Sequence, residues 1–216
     1  MTKTNWIDIS QPLTNDMAHW PGDEPFTYSP TLTKEQSGSV NIGQMSASLH
    51  TGTHVDAPFH YDSNGQTIDQ LDLERYIGTA RVIDVSHNDT ISVKTLDKLA
   101  WNDCPERLLL YTSLPNNPKR FPDAYPVMEV DVAPFLREKG VRLLGIDAPS
   151  VDTVESKDLP IHHALYNQDI NILENIMLDD VQPGDYELIA LPLAIQGADG
   201  SPVRAVIRPI HAEKEN

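Results

Sequence analysis

The 216-residue chain has a single cysteine, Cys104, which rules out an internal disulfide and any zinc site built from four thiolates. Asp103 and Glu106 flank it, and their negative charge would raise a thiol pKa, so a catalytic thiolate is not expected. Positive charge is also scarce: 16 Lys and Arg stand against 32 Asp and Glu, a formal net charge of -16. A protein that grips a phosphate backbone needs a basic patch, so a nucleic-acid partner is excluded. No apolar run approaches the length of a membrane span, and the stretch from Met1 to Trp6 lacks the apolar core of a signal peptide. A cytoplasmic protein with no membrane partner is therefore expected. No Gly-X-Ser-X-Gly elbow occurs, which sets aside serine-hydrolase chemistry. Repeats, low-complexity segments and clear linkers are missing too, and the length fits one domain spanning residues 1–216.

What the chain does have is a concentration of histidine. Leu49 to Tyr61 reads Leu-His-Thr-Gly-Thr-His-Val-Asp-Ala-Pro-Phe-His-Tyr, placing three of the eight histidines and an aspartate within eleven residues. His50 and His54 are spaced for one helical face, but Gly52, the β-branched Thr53 and Val55, and Pro58 oppose a helix. A straight strand would separate the same two histidines by about 13 Å, too far for one ion. The chain must therefore curl, with Gly52 able to take the required backbone angles and Pro58 fixing a second bend. A lone histidine usually hydrogen-bonds within a turn. Three of them with an acid among turn-formers point instead to a site for zinc, manganese or iron.

Periodicity supplies the framework. Strands are expected at Trp6 to Ser10, at Gln44 to His50 with one buried face, at Thr79 to Val85, and at Arg107 to Thr112, a continuous apolar run suited to burial on both faces. Further strands are expected at Val141 to Asp147, Ile170 to Glu174, Tyr186 to Leu193 and Val203 to Ile207. Pro12 to Pro30 reads as loop, and within it Trp20 beside Pro21-Gly22 is either a packed anchor or the wall of a pocket. Asp62 to Gly65 reads as a turn. Helices are expected at Ser92 to Leu99, between Asp131 as N-cap and Gly140 as C-cap, and over Leu159 to Asn167. The loop at Asp147-Ala-Pro-Ser could face a site, and the charged tail from His211 is expected to fray. Strands mixed with a few helices indicate one α/β domain.

The third helix carries His162 and His163, which diverge by about 100° and so cannot both face one ion. Glu174 is either an ordinary solvent-facing strand residue or, given its apolar flanks, a buried carboxylate that needs a cation.

These motifs resemble the metal-dependent cyclase family, and within it the branch of the bacterial kynurenine formamidases. The resemblance rests on His-Thr-Gly-Thr-His-Val-Asp-Ala-Pro-Phe-His at 50–60, on His162-His163, and on Ile-Leu-Glu at 172–174. It extends through Gly-Asp-Tyr-Glu-Leu-Ile-Ala-Leu-Pro-Leu at 184–193 and Ser-Pro-Val-Arg-Ala-Val at 201–206. It implies an α/β fold with a mixed, barrel-like sheet and a few helices of the swivelling β/β/α type, assembled as a homodimer or homotetramer. It also implies two divalent ions per subunit, taken as Zn2+: one on His50, His54 and Asp56, the other on Asp56, His162 and Glu174. His60 becomes the proton donor and acceptor, and Trp20 lines the pocket. The implied reaction is hydrolysis of the small molecule N-formyl-L-kynurenine to L-kynurenine and formate. The metals suit the water and the carbonyl, and an imidazole suits the poorly leaving aryl amine. Rival readings are another hydrolase of the family, opening a cyclic amide such as isatin, and a non-catalytic metal-binding protein.

Overall fold

The computed structural model describes residues 6–99, 101–114 and 117–210. The tail from His211 lies outside the described residues. After β1 (Ile7–Asp8) comes a hairpin of β2 (Thr27–Leu32) and β3 (Ile42–Ser46), with a one-turn helix α1 (Lys34–Ser37) between them. Then follow β4 (His54–Asp56), β5 (Ile77–Asp84), β6 (Thr90–Ile91), α2 (Val93–Leu96), β7 (Arg107–Tyr111) and β8 (Val127–Met128). The rest comprises α3 (Val132–Glu138), β9 (Leu143–Ile146), α4 (Pro160–Asn167), β10 (Asn171–Glu174), β11 (Gly184–Ile189), β12 (Gly200–Pro202) and β13 (Val206–Pro209).

Nine of these strands form one mixed sheet in the order β1-β13-β11-β5-β7-β9-β10-β4-β12. β5, β7, β9 and β10 run parallel to their neighbours within that group, and the remaining pairs are antiparallel. The sheet curls. The Met177 amide donates to the Ile9 carbonyl at 2.8 Å and Ser10 bridges to Ile176, so the chain just after β1 is tied to the chain just after β10. This is the mixed, barrel-like sheet with few helices that the family resemblance implies.

Period-two alternation sorts the central strands between two cores. Leu108, Leu110, Leu144, Ile146 and Ile172 pack outward against Leu96, Leu136, Ile161 and Leu165 of the helices. Leu109, Leu143, Leu173 and Val55 point the other way, toward Tyr76, Leu188 and Ile207, on the face closed by the curl of the sheet itself. Each such fully buried Leu or Ile contributes roughly 1.5–3 kcal/mol relative to exposure. The Leu-Leu-Leu run is therefore the physical reason that β7 occupies the centre.

Helix ends follow local chemistry. Ser92 accepts from the Thr95 amide to start α2, Pro160 opens α4, and Gly140 takes φ 88° just past α3. Asp131 does precede α3, but its side chain makes no capping bond.

Two expectations need correction. The strand foreseen at Gln44 to His50 with a buried face is β3, ending at Ser46 and exposed along its whole length. It pairs only with β2, which occupies the end of the segment read as loop. The hairpin stands outside the main sheet, so alternation there carries no burial. β12 went unforeseen because Gly-Ser-Pro has no strand pattern; Pro202 is tolerated because β12 is an edge strand.

Candidate functional site

β4 lies between β10 and β12, and its register sets Glu174 and Pro202 opposite His54, with Gly200 opposite Asp56. His54 and Asp56, two residues apart, share one face of the strand, so His54, Asp56 and Glu174 converge by sheet geometry alone. His50 is brought back by the curl anticipated at Gly52, whose φ is 62°, and Pro58 begins a tight turn over Pro58–His60. Gly200 completes the approach: a Cβ there would stand 2.9 Å from the His50 ring and 3.1 Å from the Val55 carbonyl. His162 comes from the first turn of α4. Asp152 accepts from the Ile161 and His162 amides at that helix start and from His162 Nδ1 at 2.7 Å, which holds both the helix and the ring.

His54, Asp56, His162 and Glu174 are each no more than 3% exposed. His54 Nε2 lies 3.4 Å from Asp56 Oδ1 and 3.3 Å from Glu174 Oε2, while His162 Nε2 lies 3.4 Å from Asp56 Oδ2. Two ligand atoms each ~2.1 Å from one ion at a tetrahedral angle stand about 3.4 Å apart, so these separations fit shared coordination. His50 Nδ1 is 2.9 Å from Asp56 Oδ1. The two oxygens of Asp56 thus face different imidazoles, and Oδ2, though buried, makes no hydrogen bond. His54 Nδ1 donates to the Gly52 carbonyl at 2.8 Å, and His162 Nδ1 donates to Asp152, which fixes both rings with Nε2 turned toward the carboxylates. His50, His54 and Asp56 form one group whose donor atoms could hold a divalent ion, and Asp56, His162 and Glu174 form another.

The electrostatics point the same way. Burial alone would lower the imidazole pKa values, yet facing carboxylates overcome it: Asp199 and Asp56 raise His50 to about 9, and Asp56 and Glu174 raise His54 to about 10. Asp152 and Asp56 raise His162 to about 10. Burial pushes Asp56 up, but His162, His50 and His54 hold it well below the usual carboxylate range. The cluster demands positive charge, as a cation site does.

His60 sits at the rim, its ring centroid 3.9 Å from that of His50 and its Nδ1 3.7 Å from Asp199 Oδ2. Burial, reinforced by the His50 charge, lowers its pKa. Trp20 lines the cleft that opens on His54, His60, His162 and Glu174, and Phe121 packs edge-on against it at 5.6 Å. His163 is exposed on α4, with its ring against Tyr61 and outside the cluster, as the helical divergence requires. Sequence reasoning missed Asp152 and Asp199. Asp199 accepts from His50 Nε2 at 3.1 Å and holds a pKa of about 2, chiefly through that bond. Nothing in the turn sequence Gly197-Ala-Asp-Gly200 signals it. Asp152, ten residues before His162, was open to a search for carboxylates near a helix start.

The family model for putative cyclases matches residues 7–153. The chain belongs to the cyclase family. It is 57% identical over 210 residues to the kynurenine formamidase of Bacillus cytotoxicus, covering 97% of this chain and all of that one. The kynurenine formamidase of Bacillus anthracis is 56% identical over the same span. Among solved structures, a potential metal-dependent hydrolase with cyclase activity superposes with a TM-score of 0.81 at 25% identity, covering 97% of this chain and 100% of that one. Isatin hydrolase A from Labrenzia aggregata shares the cyclase-family fold, with a TM-score of 0.81 at 24% identity, covering 96% of this chain and 94% of that one.

Proposed function

We propose that this chain hydrolyses N-formyl-L-kynurenine to L-kynurenine and formate, using two zinc ions per subunit. The observation that carries the reading is full-length similarity, at 57% identity, to a kynurenine formamidase. His50, His54 and Asp56 would hold one ion, and Asp56, His162 and Glu174 the other, with Asp56 shared. When bound, such ions supply Lewis acidity, activating water at neutral pH and polarising the formyl carbonyl.

The chain's own groups handle the proton. His60, neutral at pH 7 because its pKa is depressed, takes a proton from the attacking water. Asp199 beside Nδ1 stabilises the imidazolium that results, leaving the other ring nitrogen to exchange with substrate. As the carbon–nitrogen bond breaks, His60 returns that proton to the aryl nitrogen, so the amine leaves neutral and the formyl group departs as formic acid, which releases water's second proton to solvent to give formate. Trp20 offers an indole face to the substrate ring, worth about 1 kcal/mol beyond burial. The subunits would assemble as a homodimer or homotetramer in the cytoplasm, and light scattering on purified protein reads the size of that assembly.

The test is an absorbance assay comparing N-formylkynurenine with isatin. A kcat/KM at least tenfold higher for N-formylkynurenine is expected. Comparable values would remove the formamidase reading and leave a broader metal-dependent amide hydrolase.

A further inference from the structure

A second cleft adjoins the one that holds the histidine cluster, and Trp20, His50 and Pro149 line both. Arg120 lines this second cleft. Among the described residues lining either cleft it is the single Lys or Arg, in a chain whose formal net charge is -16. Its place relative to the site is set by its neighbour Phe121, whose ring packs edge-on against Trp20. Its partner Asp123 is three residues away, and the two side chains are 68% and 83% exposed. A pair so exposed contributes little, so the guanidinium is available to another carboxylate at small cost. Asp147 also lines the cleft, but both its oxygens are engaged by Thr112.

N-formylkynurenine has two ends of different chemistry. The formyl group must reach the histidine cluster, and the ring lies against Trp20. The amino-acid end carries a carboxylate that meets an acidic protein. We propose that the second cleft is the subsite for this end of the substrate, with Arg120 binding the α-carboxylate. A guanidinium suits a carboxylate because its planar fork presents paired donors. The inference rests on the formamidase reading and adds a specificity determinant to it: selection for a substrate bearing a carboxylate beyond the ring.

The experiment compares N-formylkynurenine with N-formylaniline, which keeps the aryl formamide and lacks the amino-acid end, on the zinc-loaded wild type and the Arg120→Gln and Arg120→Lys variants. The ratio of the two kcat/KM values is read on each protein, so partial loss of folded enzyme cancels. Arg120→Gln should lower that ratio several-fold, through a raised KM for N-formylkynurenine with little change in its kcat, and Arg120→Lys should restore part of it. A ratio unchanged in Arg120→Gln, with the wild type active on N-formylkynurenine, overturns the subsite alone. A wild type active on N-formylaniline but inert toward N-formylkynurenine overturns both the proposed function and the subsite.

Discussion

Asp147, the residue after β9, provides a test of the electrostatics at a carboxylate that is not among the candidate metal ligands. Its carboxylate is 2% exposed and accepts from the Thr112 amide at 2.9 Å and from Thr112 Oγ1 at 2.6 Å. Burial outweighs those bonds and pushes its pKa up to about 7. An unfolded aspartate titrates near 3.9, so the folded chain holds this proton more tightly than the unfolded chain does. The sign follows: the contribution to stability is fully present below about pH 4 and is lost as pH rises through about 7. At about 1.4 kcal/mol per unit, a gap of about 3 units caps the loss at about 4 kcal/mol above pH 8. Asp147→Asn is neutral at every pH, and its amide can accept from the Thr112 backbone while donating to Thr112 Oγ1. The variant and wild type should therefore melt together only below about pH 4 and diverge steadily as pH rises toward about 7. By pH 9 the variant should be the more stable, by up to roughly 10 °C for a chain of this length. Thermal unfolding across that range in one buffer series is the assay, and the difference in Tm is the quantity read. A difference that does not grow with pH, or a variant that melts lower at pH 9, would refute the reasoning.

His60→Ala should retain its metal and lose activity in kcat by about 10²–10⁴-fold, whereas Asp56→Asn should be purified with depleted metal; elemental analysis beside kinetics separates the two, and a metal-free His60→Ala would make His60 a ligand. Asp152→Asn should weaken metal binding by about 10–100-fold, because the amide no longer holds His162 Nδ1 as a charged acceptor, and titration against a chelator reads the change. Tyr76 is fully buried with a hydroxyl that makes no hydrogen bond, so Tyr76→Phe should be neutral or stabilising by about 1 kcal/mol in urea unfolding; a loss of that size would mean the hydroxyl has a partner.

The sequence was most legible where a site is local. His50, His54, Asp56 and His60 lie within eleven residues, and the turn-formers among them forced the curl that Gly52 makes at φ 62°. Helical geometry separated the two adjacent histidines, and only His162 joins the cluster. The buried strands were legible because β7 and β9 are apolar on both faces. The exposed hairpin was not, since alternation shows that a strand has two unlike faces and does not show that either is covered. Residue pattern alone left Glu174 open between a solvent-facing and a buried carboxylate, and only the family resemblance assigned it to the site; the physical reason is the pairing of β10 with β4, which sets it opposite His54. Asp199 reaches His50 and His60 from a turn 149 residues after His50, and no local pattern records a contact made by chain closure.

The measurement that bears most directly on the central claim is the rate of N-formylkynurenine hydrolysis by chelator-stripped protein as zinc is returned. The arrangement of His50, His54, Asp56, His162 and Glu174 predicts no measurable rate in the stripped protein and recovery that saturates near about two ions per chain. Undiminished hydrolysis by protein stripped of metal would contradict it.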